Sequence, residues 1–219
     1  AALDLAYDHD LNLEDARMRG LEQMRKLVPT GVPASGFKVE NGGTGDPGMA
    51  VTGISMLAQF DLSLMVKAGV QWGLFGGAIE NLGTKKHHDL YIRDLINLDL
   101  IGCFAMTETG HGSDVQSIET TATYDIETQE FVINSPSSRK DYIGGAALHA
   151  EVGAVFAQLI TKGENHGVHC FVVPLRDDNG NDLPGVTTSD CGHKGGLGGA
   201  DNGRVTFEDV RVARGNLPH

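Results

Sequence analysis

An α+β architecture is predicted for this chain: a helical N-terminal domain over residues 1–100, then an antiparallel β-barrel or sandwich domain over 101–219. Three observations predict it. Up to about residue 100, apolar residues recur at helical spacing. Beyond it they alternate in short runs rich in β-branched residues. The two textures meet at 104–114, a polar, glycine-rich stretch that directly follows the apolar run 98–106.

The helical elements follow in order. Between 14 and 28, Met18, Leu21, Met24 and Val28 repeat at helical spacing among Arg17, Glu22, Arg25 and Lys26, and Pro29 stops the helix. Residues 30–48, rich in Gly and Pro, read as a loop. Residues 49–60 and 61–81 read as two apolar helices, with Asp61 as the N-cap between them. Gly69, Gly73, Gly76 and Gly77 each cost up to ~1 kcal/mol against alanine in a helix, so they suit close approach of another helix or a ligand. The run 62–79 is the candidate membrane span. Lys67, Gln71 and the glycines interrupt it, so a buried core helix is expected and no membrane span. Gly83 and Thr84 end that helix and cap the next, 85–97.

The β region follows. Residues 120–124 and 130–134 read as a hairpin about the turn 125–129. Residues 152–161 and 167–175 are apolar strands joined at 162–166, and 176–184 is a polar turn. Short strands at 185–190, 203–207 and 210–212 complete the set.

Composition narrows the function classes. With 40% hydrophobic and 21% charged residues in 219, a packed core is expected. Acidic residues outnumber basic ones 29 to 17, for a net charge of −12, which argues against nucleic acid as a partner. Three cysteines without a C-x-x-C pair suit a reducing, intracellular compartment. Residues 1–10 lack the basic start and apolar block of a secretory leader.

Three stretches carry candidate chemistry. In 104–114, Thr107, Thr109 and Ser113 supply hydroxyls while Gly110 and Gly112 bare the backbone. Such a rim suits a planar ligand with donors and acceptors along one edge; it equally suits a hydrogen-bonded connector. In 139–145, Tyr142 before Gly144 and Gly145 could lay a ring and bare backbone against a flat ligand, or mark a strand with a bulge. The stretch 193–199 lacks the G-x-G-x-x-G order and a βαβ unit. It reads as a mobile loop, with Lys194 meeting a phosphate as the alternative. No spacing fits a metal site: His87 and His88 face different ways, and Cys191 with His193 lacks a second pair. Residues 110–114 lack the second glycine of a G-x-S-x-G nucleophile turn.

Four blocks resemble the acyl-CoA oxidase branch of the acyl-CoA dehydrogenase superfamily. They are 83–113, which includes Met106-Thr107-Glu108-Thr109-Gly110-His111-Gly112-Ser113; 119–125 with 128–136; 157–163; and 201–214. They follow the family's order over more than half the chain. The resemblance implies a helical domain, then a β domain, then a helical third domain, with FAD in the cleft between the last two. It implies that Thr107 and Gly144 contact the flavin and that Ser113 helps to hold flavin or thioester. Met106, Tyr142 and Gly145 flank these and join the cofactor-binding candidates. Thr109-Gly110-His111-Gly112-Ser113, where dehydrogenases carry Pro-Gly-Ala-Gly-Ser, and the hairpin end Asn134-Ser135-Pro136 point to an oxidase.

The implied reaction is α,β-dehydrogenation of acyl-CoA to trans-2-enoyl-CoA, with O2 as acceptor and H2O2 as product. The alternatives are a dehydrogenase serving an electron-transfer flavoprotein and a non-catalytic module of this fold. The family's catalytic glutamate belongs to the third domain, which the resemblance puts beyond His219. No catalytic residue is therefore expected in this chain, and the chain alone is expected neither to turn over substrate nor to hold FAD tightly. A homodimer of the full-length enzyme is implied, in the bacterial cytoplasm or the peroxisome.

Overall fold

The computed structural model describes residues 8–135 and 139–218, so Pro136 of the hairpin end lies outside the described residues. Two compact units emerge. One comprises the chain up to Ile101 with Gly192–Asp201, and the other comprises Gly102–Cys191 with the chain from Asn202.

In the first unit, helix α1 (Leu13–Leu27) starts where the Asn12 side chain accepts from the Asp15 amide. Its acidic first turn and basic last turn complement the helix dipole. Leu21, Met24 and Leu27 are buried, but Met18, expected on the same face, is 42% exposed. The expected loop at 30–48 is more regular than its composition suggested. It holds the short 3-10 turns Pro33–Gly36 and Val39–Asn41, started by Pro33 and ended by Gly42 in the left-handed region. Helix α2 (Pro47–Phe60) is capped by Asp46.

Helix α3 (Leu62–Leu82) is continuous and capped by the Asp61 carboxylate, which accepts from the Ser63 and Leu64 amides. It is long and apolar enough to cross a membrane. Yet Leu64, Ala68, Phe75 and Ile79 are buried inside the unit, and buried Lys67 pairs with Asp201 at 2.5 Å. This is the burial expected of a core helix. Its middle, Gly69–Phe75, widens into π geometry, a common device for aiming a side chain. Gln71 there donates to the carbonyls of Leu95 and Leu100, and so satisfies the end of the last helix, α4 (residues 85–97).

The stretch 193–199, expected to be a mobile loop, is exposed at His193, Gly195 and Gly196 and is anchored at its far end. Gly198, Gly199, Ala200 and Asp201 are buried, and the Gly199 amide donates to Ser63 Oγ. A Cβ at Gly199 would lie 2.9 Å from that of Ser63, so only glycine permits the approach. The Lys194 ammonium donates to the carbonyls of Gly192 and Ala200, a use that ties the segment to itself.

The second unit is built on β5 (Val152–Thr161) and β6 (Glu164–Pro174). They form a long antiparallel hairpin about Lys162 and Gly163, both left-handed, as the twist of a two-residue turn requires. On its other edge β5 meets two strands in succession. Its residues 152–155 pair with β1 (Gly102–Ala105), and 158–160 with β2 (Thr121–Asp125). Both ladders are parallel. The sheet is therefore mixed, not antiparallel as predicted. The cause is that the chain leaves the β5 edge at Ala105 and rejoins the same edge, in the same direction, at Thr121. Strands β3 (Glu130–Asn134) and β9 (Val210–Ala213) extend this sheet. A smaller antiparallel sheet joins β4 (Lys140–Ile143), β8 (Gly203–Phe207) and β7 (Val186–Asp190). The sheets share one core, with Phe131, Ile133, Val155 and Phe171 from the larger and Ile143, Val186, Val205 and Phe207 from the smaller.

Candidate ligand-binding site

The candidate site is the excursion the chain makes between Ala105 and Thr121. Three carboxylate bonds draw its two ends together. Glu108, near the exit, accepts from the amides of Glu119 (2.7 Å) and Thr120 (3.0 Å) and from the Thr120 hydroxyl (2.6 Å), near the return. The interrupted ladder leaves Phe156 of β5 opposite neither β1 nor β2. The Lys140 ammonium fills that gap, donating to the Phe156 carbonyl at 2.7 Å, to that of Met106 at 3.1 Å and to Glu108 at 2.9 Å. Both charged side chains are fully buried. Burial pushes the Glu108 carboxyl up, but the Glu119 amide, the Thr120 hydroxyl and Lys140 together hold it below the usual carboxylate range. Burial also pushes Lys140 below the ordinary lysine value, and Glu108 pulls it part of the way back.

This anchor brings the excursion against β4. Glu108 bridges Lys140, and the Thr109 amide donates to the Arg139 carbonyl. Thr107 and Asp141 bond twice: the Asp141 amide donates to the Thr107 carbonyl, and the Thr107 hydroxyl donates to the Asp141 carbonyl at 2.9 Å. Four of the six predicted residues thus lie on two adjoining segments, Met106 with Thr107 and Tyr142 with Gly144. Gly145 follows at φ +84°, a backbone that favours glycine, and its carbonyl accepts from the amides of His149 and Ala150 to close a tight turn. Met106, Thr107, Gly144 and Gly145 are each partly exposed, and Tyr142 is 64% exposed. Ser113 is exposed farther along the excursion, where the pairing with β4 does not reach. His111 exchanges backbone bonds with Glu108 and meets Glu119 at 3.2 Å, a contact that shapes the turn.

Several contributors carried no local signal. Arg176 is nine-tenths buried and donates to the carbonyls of Ala146 and Ala150, so it fastens the turn after Gly145 from below. Strand β8 also passes close beneath that turn: a Cβ at Gly203 would come within 2.4 Å of the Ala147 amide nitrogen. Asn202 donates to the Tyr142 carbonyl at 3.0 Å, while its own side-chain oxygen is buried without a partner. Lys140 carried no local signal either: three positions before core residue Ile143 it would face the other side of a regular strand, and β4 is irregular between the two. Among the described residues, no group of three or more His, Cys, Asp or Glu could hold a metal ion. The arrangement can seat a flat ring against Tyr142 and bare backbone and offer hydroxyl and amide bonds at its edge.

Residues 103–210 match the family described as acyl-CoA dehydrogenase, middle domain. The chain is 49% identical over 224 residues to the peroxisomal acyl-coenzyme A oxidase 2 of Arabidopsis thaliana, covering 98% of this chain and 32% of that protein. Among solved structures it resembles acyl-CoA oxidase 3 from Yarrowia lipolytica, with a TM-score of 0.85 and 36% identity over 98% of this chain and 30% of that one. It also resembles acyl-CoA oxidase 1 from Caenorhabditis elegans in complex with FAD and ATP, with a TM-score of 0.77 and 28% identity over 95% of this chain and 31% of that one. The chain spans about a third of the length of the relatives it matches. It belongs to the acyl-CoA dehydrogenase and oxidase family, with the middle domain of that family at residues 103–210.

Proposed function

We propose that residues 101–219 act as the flavin-binding domain of an FAD-dependent acyl-CoA oxidase and residues 1–100 as the helical domain before it. The observation that carries this reading is the pair of hydrogen bonds between Thr107 and Asp141, which ties the Thr107 segment to the strand that leads into Tyr142, Gly144 and Gly145. These residues fit an isoalloxazine ring. Tyr142 offers an exposed aromatic face, the paired glycines let a ring approach the main chain, and the unpartnered Asn202 oxygen is an acceptor still to be satisfied. With its proton committed to Asp141, the Thr107 hydroxyl presents acceptor lone pairs, which suit a ring N–H. Bound FAD would supply the electron sink for α,β-dehydrogenation of an acyl-CoA, with O2 as the final acceptor. The residues of this chain bind and orient; none is proposed as the base.

Identity above 40% to named oxidases supports oxidase over dehydrogenase. The names of the Arabidopsis relatives support an intracellular, peroxisomal setting, and nothing favours a bacterial cytoplasm. A homodimer of the full-length enzyme belongs to the same proposal and rests on the sequence resemblance. Equilibrium dialysis of the chain against FAD tests the reading. Thr107→Val and Gly144→Val should each weaken binding several-fold, by loss of a hydrogen bond and by steric block. Affinities equal to the parent chain's would overturn it.

A further inference from the structure

Asp141 sits at the centre of a cluster that the proposed ring-binding residues do not themselves account for. Its side chain is 12% exposed. One oxygen accepts from the Tyr142 amide at 3.0 Å, lies 3.2 Å from Arg204 Nε and takes the Cys191 thiol at 3.7 Å. The other accepts from the Thr109 hydroxyl at 3.2 Å, with Arg139 Nε at 4.0 Å. The Arg204 contact is an ion pair, since its geometry falls short of a hydrogen bond. One carboxylate therefore joins the excursion (Thr109), the end of β7 (Cys191), β8 (Arg204) and the residue after it in β4.

That following residue is conformationally unusual. Tyr142 has φ +58°, a left-handed backbone that a bulky side chain rarely adopts without external constraint. Two side chains constrain it: Asp141 holds its amide and Asn202 holds its carbonyl. The result is an aromatic ring standing largely in solvent at the edge of the proposed wall. An exposed tyrosine gains no burial from such strain, so folding alone does not account for the arrangement.

We propose that Asp141 is a positioning residue: its carboxylate holds the Tyr142 backbone left-handed and Thr109 in place, so that the Tyr142 ring and the Thr107 hydroxyl face one ring-shaped ligand, the flavin isoalloxazine. The proposal rests on the flavin reading and adds to it the group that pre-forms the wall. Loss of the carboxylate should free the Tyr142 φ angle, and binding would then have to re-order it.

The test is a titration of the 15N-labelled chain with FAD, followed by amide NMR shifts. The variants are Asp141→Ala, Asp141→Asn and, as a core-trimming control remote from the cluster, Ile133→Val. Asp141→Ala should lower FAD affinity about tenfold, as expected when a charged hydrogen-bond partner is lost. It should shift the Tyr142 and Thr109 amides without ligand and leave the β5 and β6 amides unmoved. Asp141→Asn keeps one acceptor oxygen for the Tyr142 amide, and its amide nitrogen can donate to the Thr109 hydroxyl in place of the bond that hydroxyl now gives, so it should recover most of the affinity. Ile133→Val should lower the thermal midpoint yet keep parent affinity. Equal affinity of Asp141→Ala and the parent, or equal weakening by Ile133→Val, would overturn the positioning role. Failure of the parent chain itself to respond to FAD would instead overturn the flavin reading on which the role rests. If Asp141→Ala does not fold, Asp141→Asn against Asp141→Ser decides: equal affinity for the two overturns the proposal.

Discussion

At the scale of single residues, the central arrangement is a buried charge pair doing the work of a missing strand. Between the β1 and β2 segments, β5 has a carbonyl with no ladder partner, and an unsatisfied buried carbonyl costs free energy comparable to a lost hydrogen bond. Lys140 meets it, and Glu108 meets Lys140. Removing one partner leaves the other charge buried alone, so Lys140→Ala should cost about 3–5 kcal/mol, read from urea unfolding of the chain. The double variant Glu108→Leu, Lys140→Met should cost less than the sum of the single changes. The pair also makes stability pH-dependent. Because the folded Glu108 carboxyl titrates below its ordinary value of 4.5, its contribution is fully present above that value. As pH falls below it, the unfolded chain takes up the proton first, and stability drops. Thermal midpoints from pH 7 down to pH 3 should therefore fall more steeply for the parent than for Glu108→Gln. None of this was legible in the sequence. Glu108 and Lys140 are 32 residues apart, and nothing local to either predicts the other.

At the scale of elements, local rules carried most of the reading. The Asp61 cap, the strands at 152–161 and 203–207 and the 120–134 hairpin follow from caps, β-branched runs and turn residues. Partner choice did not follow. Whether β1 and β2 pair parallel or antiparallel with β5 depends on where a 15-residue excursion returns, and no periodicity encodes that. The π turn in α3 was also hidden, because its glycines read as packing sites and not as a widening that aims Gln71. Gln71→Leu should cost about 1–3 kcal/mol, since the Leu100 carbonyl loses its Gln71 donor and the Leu95 carbonyl keeps only the Trp72 indole of its two side-chain donors. In the turn after β4, Gly145→Ala should cost about 1 kcal/mol or more for its left-handed backbone and should weaken FAD binding in parallel. Dialysis and thermal melts of one preparation measure both effects.

At the scale of the whole molecule, two units are each organised around their own buried residues, and the thiols report on that burial. Cys103 and Cys170 are buried, and desolvation pushes the Cys170 thiol up to about 12. Native chain should therefore yield at most one thiol, Cys191, to an aromatic disulfide reagent at neutral pH, and all three after denaturation. Thr107 and Gly144 were identified by family resemblance, because hydroxyls and glycines in a polar turn fit a connector equally well. The structure adds contacts between distant parts of the chain: Asp141 bonds Thr107, Asn202 bonds the Tyr142 carbonyl, and Arg176 fastens the turn after Gly145.

The most direct measurement is the FAD titration of the 15N-labelled parent chain. The account predicts that shifts concentrate on the amides of 106–112 and 142–145 and fit a single saturable site. Saturation without shifts at those residues, or shifts confined to the helical unit, would contradict it.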